Sequence, residues 1–223
     1  MFSPIRKTIR GLLIAAVLLV AFIGYFKFRE FLTFRQIIHN LTAESRIAEV
    51  LVTDSSLDEY TRKYTTTIKF LEYDVKGRPL KPKFFTFKGN LIQFQTLVVR
   101  FDDKYVEEGH RLKGKSITLF LKAFVLDGKN TQEFVIAPVN VIPDGYRVGN
   151  PPSPFEEDIW RRFWKYALEP GERSRVGIKN AQIEAPGSVF VPGTIYTLVI
   201  EHDGGIRIDT RPIPEILKDD QRP

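Results

Sequence analysis

An uninterrupted apolar run near the N-terminus is the strongest hydrophobic pattern in the chain. Residues 11–26 read GLLIAAVLLVAFIGYF and contain no charged side chain. A helix of this length spans roughly 24 Å, and the flanking Arg10 and Lys27 can extend to the headgroups of a ~30 Å hydrocarbon core. No small-residue cleavage site follows the run, and core helices are rarely apolar on all sides. The run therefore predicts an uncleaved transmembrane signal anchor.

An amphipathic pattern continues beyond this segment. Apolar side chains recur at alternating spacings of three and four, from Phe31 through Phe34 and Ile38 to about Leu51, which is typical of one face of a helix. We therefore predict a helical stalk over residues 28–54. Three packing partners stay open for its apolar face: the protein's own β domain, a second chain, or the lipid interface.

After the stalk the pattern changes to a period of two. Short runs rich in β-branched and aromatic residues are separated by turns that contain glycine, asparagine or aspartate. One run is predicted to present five apolar side chains on a single face: Ile117, Leu119, Leu121, Ala123 and Val125. Turns at residues 127–130 and 202–205 predict two hairpins. The pattern predicts a mainly β domain, a β-sandwich or an open barrel, with one aromatic-rich helix.

That helix begins with a capping box at residues 153–156, which read Ser-Pro-Phe-Glu. Its aromatic side chains share one face, and two interpretations are open. The aromatics either close the end of the β domain or contact a partner or the membrane. Six side chains form the candidate interaction surface, three from this helix and three from the stalk: Trp160, Phe163, Trp164, Phe31, Phe34 and Ile38.

These patterns divide the 223 residues into four parts. The parts are a cytoplasmic tip with the signal anchor at 1–27, the stalk at 28–54, a mostly β domain at 55–217 and a tail at 218–223. The β part is long enough to form one domain with a core of its own.

The charge distribution argues against a nucleic-acid-binding domain. The net charge is +6, but six basic residues and one acidic residue lie within residues 1–35, so the remaining chain carries 27 basic and 26 acidic side chains. Nucleic-acid recognition needs positive charge concentrated on one surface. Here the excess flanks the apolar run, where Lys and Arg contact headgroups and favour a cytoplasmic N-terminus. In a bacterium, the β domain would then lie in the periplasm.

No residue pattern indicates a reaction centre, a cofactor or a metal. The chain has no cysteine, which excludes thiol nucleophiles, disulfides and thiolate metal sites. His39, His110 and His202 have no second ligand at metal-binding spacing, and neither a nucleophile elbow nor a phosphate loop occurs. The sequence therefore predicts a protein that is not an enzyme and holds neither cofactor nor metal.

Three stretches resemble segments of a known group of proteins. They are residues 101–109 (FDDKYVEEG), residues 160–167 (WRRFWKYA), and residues 177–185 (GIKNAQIEA) leading to 192–196 (PGTIY). They are similar to segments of small, single-span bacterial envelope proteins that have no assigned function. The resemblance implies a bacterial source and no particular activity.

The prediction for function follows from the anchor and from the lack of a reaction centre. We expect a single-pass protein of the cell inner membrane that acts as a binding or assembly subunit through its periplasmic β domain. Its partners would be the lipid bilayer and either another envelope protein or a second copy of the chain, and not nucleic acid. The alternative is a tethered carrier or sensor whose β domain encloses a lipid tail or another apolar small molecule.

Overall fold

The computed structural model describes residues 3–41, 48–74, 77–101, 116–127, 130–173, 178–201 and 205–215, and within 3–41 it describes the side chains of 11–29 and 32. Its helical elements are α1 (Ser3–Leu41), a 3-10 turn (Asp144–Tyr146), α2 (Pro154–Leu168) and a helical turn (Pro170–Arg173). The strands are β1 (Ala48–Leu57), β2 (Tyr64–Glu72), β3 (Lys83–Lys88), β4 (Leu91–Phe101), β5 (Ser116–Asp127), β6 (Asn130–Val135), β7 (Ile178–Glu184), β8 (Gly187–Val189), β9 (Thr194–Ile200) and β10 (Ile206–Pro212).

These strands form two antiparallel sheets, which confirms the predicted mainly β class. The first sheet has the order β10-β9-β1-β2-β3, and the second has the order β6-β5-β4-β7 with β8 also paired to β4. Side chains from both sheets meet in one core, so the sheets form a sandwich. We call the end where β1 begins, at Ala48, the proximal end, because α1 precedes it in the chain. The β3–β4 turn at residues 89–90 marks the opposite, distal end.

The core between the sheets is built largely from phenylalanine. Phe70 of β2 packs on Phe94 of β4 and on Phe120 of β5, with ring centroids 5.6 and 5.5 Å apart. Phe94 also contacts Phe190, at 5.9 Å. All four side chains are fully buried. Rings of this size remove a large apolar area from water, and their stacked and edge-to-face contacts hold the two sheets together.

A second core lies on the other face of the second sheet, under α2. Trp160, Trp164 and Ala167 of α2 pack there against apolar side chains of β4, β5 and β7. Tyr146 of the 3-10 turn stacks on Trp160 at 5.4 Å, and its hydroxyl donates a hydrogen bond to the carbonyl oxygen of Thr118 at 3.2 Å. The domain therefore has three layers: the first sheet, the second sheet and α2.

A β-bulge in β5 overturns the prediction of one apolar face along that strand. The register between β4 and β5 passes over Leu121, which is the extra residue of the bulge. One extra residue exchanges the two faces of a strand from that point onwards. Ile117, Leu119 and Leu121 consequently pack under α2, whereas Ala123 and Val125 lie in the core between the sheets.

The helical prediction for the stalk is wrong at its C-terminal end. α1 ends at Leu41, and β1 occupies residues 48–57. Ala48, Val50 and Val52 alternate with a period of two and are buried. β1 lies between β9 and β2 at the centre of the first sheet, and pairing with these distant strands overrides the helical spacing. The β domain therefore begins before residue 55.

Both predicted hairpins are confirmed, as β5–β6 and β9–β10. β7 and β8 complete the second sheet beside β4, and the hydrophobic alternation does not predict them. They carry polar side chains on one face and only short apolar stretches, so the period of two is weak there.

Side chains form hydrogen bonds between the two sheets at both lateral edges of the sandwich. At the corner between β3 and β6, the side-chain amide of Gln132 accepts the backbone N–H of Lys88 at 2.8 Å and donates to its carbonyl oxygen at 3.1 Å. At the corner between β7 and β10, the carboxylate of Glu184 accepts the backbone N–H of Ile206 at 3.2 Å. Each side chain supplies a hydrogen bond that a neighbouring strand would otherwise make, which protects the sheet edge.

Candidate functional site

The N-terminal helix has the dimensions of a membrane span. Residues Gly11–Arg29 of α1 form a 19-residue segment with a mean hydropathy of 2.2, and none of it is buried against the rest of the chain. Elsewhere α1 approaches the β domain, because Cα atoms of α1 lie within 8 Å of Cα atoms of α2 and of the 3-10 turn. The helix is long and apolar enough to cross a bilayer.

The aromatic half of the predicted interaction surface is largely buried. Trp160 and Trp164 are 2% and 0% exposed, and the indole N–H of Trp164 donates to the carbonyl oxygen of Val141 at 2.9 Å. Phe163 is half-buried between the two rings, at 5.2 and 5.8 Å. The aromatics therefore belong to a core, as one interpretation predicts, but α2 covers the outer face of the second sheet and does not close an end of the β domain. The two tryptophans do not offer a surface to a partner.

The structure does not show the burial of the stalk half of that surface. α1 includes Phe31, Phe34 and Ile38, but their side chains lie outside the part of the chain that the structure describes. Their role in binding stays a prediction.

The N-terminus of α2 fixes the position of the aromatic layer. The Ser153 hydroxyl accepts the backbone N–H of Glu156 at 3.2 Å, as the capping box predicts. The Glu156 carboxylate turns instead to the preceding loop and accepts the backbone N–H groups of Val148 and Gly149, at 2.8 and 3.3 Å. Glu156 is 1% exposed. This buried carboxylate ties the loop to the first turn of α2, so its role is structural.

The distal half of the same sheet face has no covering layer among the described residues. Five apolar side chains stand there on β8, β4, β5 and β6, on the face that α2 covers farther along: Val189, Leu91, Phe124, Leu126 and Val135. Four of them are more than half exposed, from 51% for Val189 to 63% for Leu126. We call these five residues the distal patch.

Neighbouring strands bring the members of the distal patch together. Leu91 is paired directly with Val189. Phe124 is paired with Gln93 and Lys122 with Val135, so Leu91 and Val135 are diagonal neighbours of Phe124 on the two strands beside it. Directly paired side chains on one face of a sheet lie about 5 Å apart, and diagonal ones about 7 Å apart. The side chains therefore form one continuous surface across four strands.

Polar side chains lie beside the distal patch, and their charges cancel. Lys122 of β5 forms an ion pair with Glu133 of β6, and its ammonium lies 6.0 Å from the centroid of the Phe124 ring. Gln93 and Gln95 complete the polar neighbours on β4. An apolar centre with a neutral polar margin is the usual composition of a protein–protein interface.

Sequence reasoning missed the distal patch, although one signal for it exists. Leu91 is followed directly by Ile92, and Val125 directly by Leu126. Adjacent apolar residues in a strand point to opposite faces. Ile92 and Val125 fill the inter-sheet core, so their neighbours must face outwards. This inference requires the register of the sheet, which one sequence does not provide.

One cavity among the described residues bears on the carrier interpretation. A cavity of about 50 Å³ lies at the proximal end, lined by residues that include Phe70, Leu80, Lys83, Ile136 and Ile142. Ligand pockets usually measure several hundred cubic ångströms, and a cavity of this size holds one or two waters. The carrier interpretation gains no support from this cavity.

The outer face of the first sheet carries a polar network. Glu49 of β1 accepts a hydrogen bond from the Tyr73 hydroxyl at 2.6 Å and another from the Arg211 guanidinium at 2.8 Å. The hydrogen bond to the Glu49 carboxylate, together with partial burial, raises the pKa of Tyr73 to about 12. Both groups are thus engaged with each other, in an arrangement that stabilises the sheet.

The residues of the metal prediction lie only partly in the described chain. Among the described residues, no three His, Asp or Glu side chains lie close enough together to hold a metal ion. The side chains of His39, His110 and His202 lie outside those residues. The absence of a metal or a cofactor therefore stays a prediction.

Comparison with known proteins adds no relative. No family model matches the sequence, and neither a curated protein nor a solved structure is similar to it. A function must therefore be argued from the apolar helix and from the distal patch.

Proposed function

We propose that this chain is a single-pass, membrane-anchored and non-catalytic binding or assembly subunit of a bacterial envelope. α1 holds it in the inner membrane with the N-terminus in the cytoplasm, and the β domain works in the periplasm. The observation that carries the proposal is the bare Gly11–Arg29 segment of α1. Apolar side chains exposed on all sides of a helix are unfavourable in water, and a bilayer removes that cost.

The distal patch supports a binding role. Its five side chains, about half exposed, leave roughly 400 Å² of apolar surface, which lies within the range that often marks an interaction site on a monomer. The patch is built on regular strands and has its own polar margin. A partner that covers it gains hydrophobic free energy without the domain rearranging.

Two of the described carboxylates, Glu156 and Glu49, have structural roles. The buried Glu156 accepts two backbone N–H groups, and Glu49 accepts the Tyr73 hydroxyl and the Arg211 guanidinium. Neither of these two lines the cavity of about 50 Å³, which is too small for most substrates and whose lining includes Glu72 and Asp144. A general acid or base must reach a substrate within hydrogen-bond distance.

Membrane attachment is tested by washing membranes from the native host with alkaline carbonate. We expect the full chain to stay in the pellet, because an integral helix resists this wash. Recovery of the chain in the supernatant would contradict the anchor. A variant with Leu18→Arg and Leu19→Arg in the apolar segment serves as the control and is expected in the supernatant, since each charge opposes insertion by about 3 kcal/mol.

Topology is tested by labelling in this cysteine-free chain. Tyr60, in the β1–β2 turn, is 99% exposed, so Tyr60→Cys gives an accessible thiol. We expect an impermeant maleimide to label Tyr60→Cys in intact cells, and the matched Ser3→Cys only after detergent lysis. Labelling of Ser3→Cys alone in intact cells would reverse the proposed orientation.

A further inference from the structure

We infer that Lys81 and Lys83 hold the phosphate of a phospholipid headgroup at the mouth of the cavity at the proximal end of the sandwich. The inference rests on the proposed anchoring, and it adds a lipid site on the β domain to the membrane span. The observation that carries it is a pair of ammonium groups that line this cavity and form no ion pair with any carboxylate of the described residues.

The two lysines lie where the space between the sheets opens at its proximal end. Lys83 begins β3 and shares the inward face of that strand with Phe85 and Phe87, which are buried in the core. Its ammonium crosses to the second sheet and donates to the carbonyl oxygen of Ile136. Lys81 is exposed and lines the same cavity. Two residues of extended chain span roughly 7 Å, so both ammonium groups can contact one anion.

The charged groups around the cavity leave an excess of positive charge. Glu72 and Asp144 also line the cavity, and the Asp144 carboxylate lies 3.4 Å from the Arg147 guanidinium. Lys81, Lys83 and Arg147 thus outnumber the two carboxylates. A lysine ammonium is a common ligand of phosphate, and its attraction to an anion is screened less by salt at a partly buried site than on an open surface.

The size and the lining of the cavity fit a headgroup and not an acyl chain. The volume is about 50 Å³, whereas pockets for apolar ligands usually measure several hundred cubic ångströms. Leu80, Pro138 and Val141 belong to the lining, and they can contact the glycerol carbons beside a bound phosphate. The acyl chains of the lipid then stay in the bilayer.

The anchor brings the cavity close to the headgroups. Glu72 of β2 is paired with Ala48 of β1, so the cavity lies at the end of the sandwich that α1 precedes in the chain. Asp144 belongs to the 3-10 turn, and Cα atoms of this turn lie within 8 Å of Cα atoms of α1. The apolar segment of α1 ends at Arg29 and the helix ends at Leu41. The contact therefore lies at most roughly 18 Å along the helix from the apolar segment.

Acylation of lysine side chains tests the inference in the full chain. The chain is held in neutral maltoside micelles, treated with an amine-reactive acetylating reagent, and analysed by peptide mass spectrometry with increasing amounts of phosphatidylglycerol. Lys88 is the internal control, because it is exposed at the distal end of the same strand. We expect phosphatidylglycerol to slow the acylation of Lys81 and Lys83 by about fivefold or more relative to Lys88, because a bound phosphate shields both groups. Diacylglycerol with the same acyl chains lacks the phosphate and is expected to protect neither lysine.

Lys81→Gln distinguishes a shared site from general proximity to headgroups. Removing one of two ammonium contacts is expected to raise the concentration of phosphatidylglycerol that half-protects Lys83 by about tenfold. The matched Lys88→Gln is expected to leave that concentration unchanged. Equal protection of Lys83 in Lys81→Gln and in the natural chain overturns the inference, because the two lysines then do not share a ligand.

The remaining outcomes separate this inference from the proposed function and from binding of a free anion. If the chain stays in carbonate-washed membranes but phosphatidylglycerol protects Lys81 and Lys83 no more than Lys88, the lipid site is overturned and the anchor is intact. Loss of the chain from washed membranes overturns the anchor, and the inference with it. Equal protection by inorganic phosphate at the same concentration overturns the lipid as the ligand and assigns the cavity to a free anion.

Discussion

The two halves of one sheet face differ in what lies over them rather than in the residues they present. The proximal half carries Leu97, Val99, Ile117 and Leu119, all at most 1% exposed under α2. The distal half carries Leu91 and Leu126, 53% and 63% exposed. Both halves are apolar surfaces on the same strands. An apolar pattern therefore marks a surface to be covered, but it does not show whether the cover comes from the same chain.

The covering helix also explains why the aromatic pattern of α2 leaves two interpretations open. Trp160 and Trp164 lie on one face of α2, and charged residues lie on the opposite face. A core helix and a partner-binding helix both show this pattern. The structure assigns the tryptophans to the core and leaves aliphatic side chains on the surface. The proposed interaction surface, the distal patch, is therefore less aromatic than the predicted one.

Removing a side chain from the covered half is expected to give the largest effect. Trp164→Ala deletes a fully buried indole and its hydrogen bond to Val141. We expect the free energy of unfolding to fall by about 3–5 kcal/mol. Urea denaturation of the full chain in detergent micelles, followed by circular dichroism, measures the change.

The matched substitution in the uncovered half is expected to have a small effect. Leu126→Ala removes an apolar side chain that is 63% exposed, so the free energy of unfolding is expected to change by no more than about 0.5 kcal/mol. A large loss for Leu126→Ala would show that the distal patch is covered within a single chain. Equal losses for the two variants would end the distinction between the halves.

Detaching the cover at its end is expected to have an intermediate effect. Glu156→Ala removes the carboxylate that accepts the backbone N–H groups of Val148 and Gly149. Two partly buried donors then lose their acceptor, which costs about 2 kcal/mol. Hydrogen exchange at these two amides, with urea denaturation, measures the effect.

The neighbouring Glu157→Ala serves as its control. Glu157 is exposed on the same turn of α2, and its substitution is expected to change the free energy of unfolding by about 0.5 kcal/mol or less. If Glu156→Ala leaves exchange at Val148 and Gly149 unchanged, the carboxylate does not hold the loop.

The sequence predicts the elements that are stabilised by neighbouring residues. It does not predict the elements whose conformation depends on pairing with distant strands. The capping box correctly starts α2 because the Ser153 hydroxyl bonds within its own turn. The helical spacing fails at Ala48–Leu57 because β1 pairs with β9, which lies far along the chain. The face of β5 fails beyond Leu121 because a bulge leaves no mark in the residue alternation. The distal patch depends on both effects, since only the register shows that Leu91, Leu126 and Val189 are neighbours.

The outer face of the first sheet differs from both halves of the second sheet's outer face, because its described residues carry a polar network instead of an apolar surface. The Tyr73 hydroxyl donates to the Glu49 carboxylate, which raises the pKa of Tyr73 to about 12. An unfolded tyrosine ionises near pH 10, so the stabilisation is fully present below about pH 10 and is lost as the pH rises through about 12. Because the pair is partly exposed, we expect the effect to stay below about 1 kcal/mol. The difference in unfolding free energy between the natural chain and Tyr73→Phe, measured from pH 8 to 12, is expected to shrink above pH 10.

Glu49→Gln is expected to lower the pKa of Tyr73 towards its usual value, and ultraviolet titration of the phenol measures this change. An unchanged titration in Glu49→Gln would show that burial, and not the carboxylate, sets this pKa.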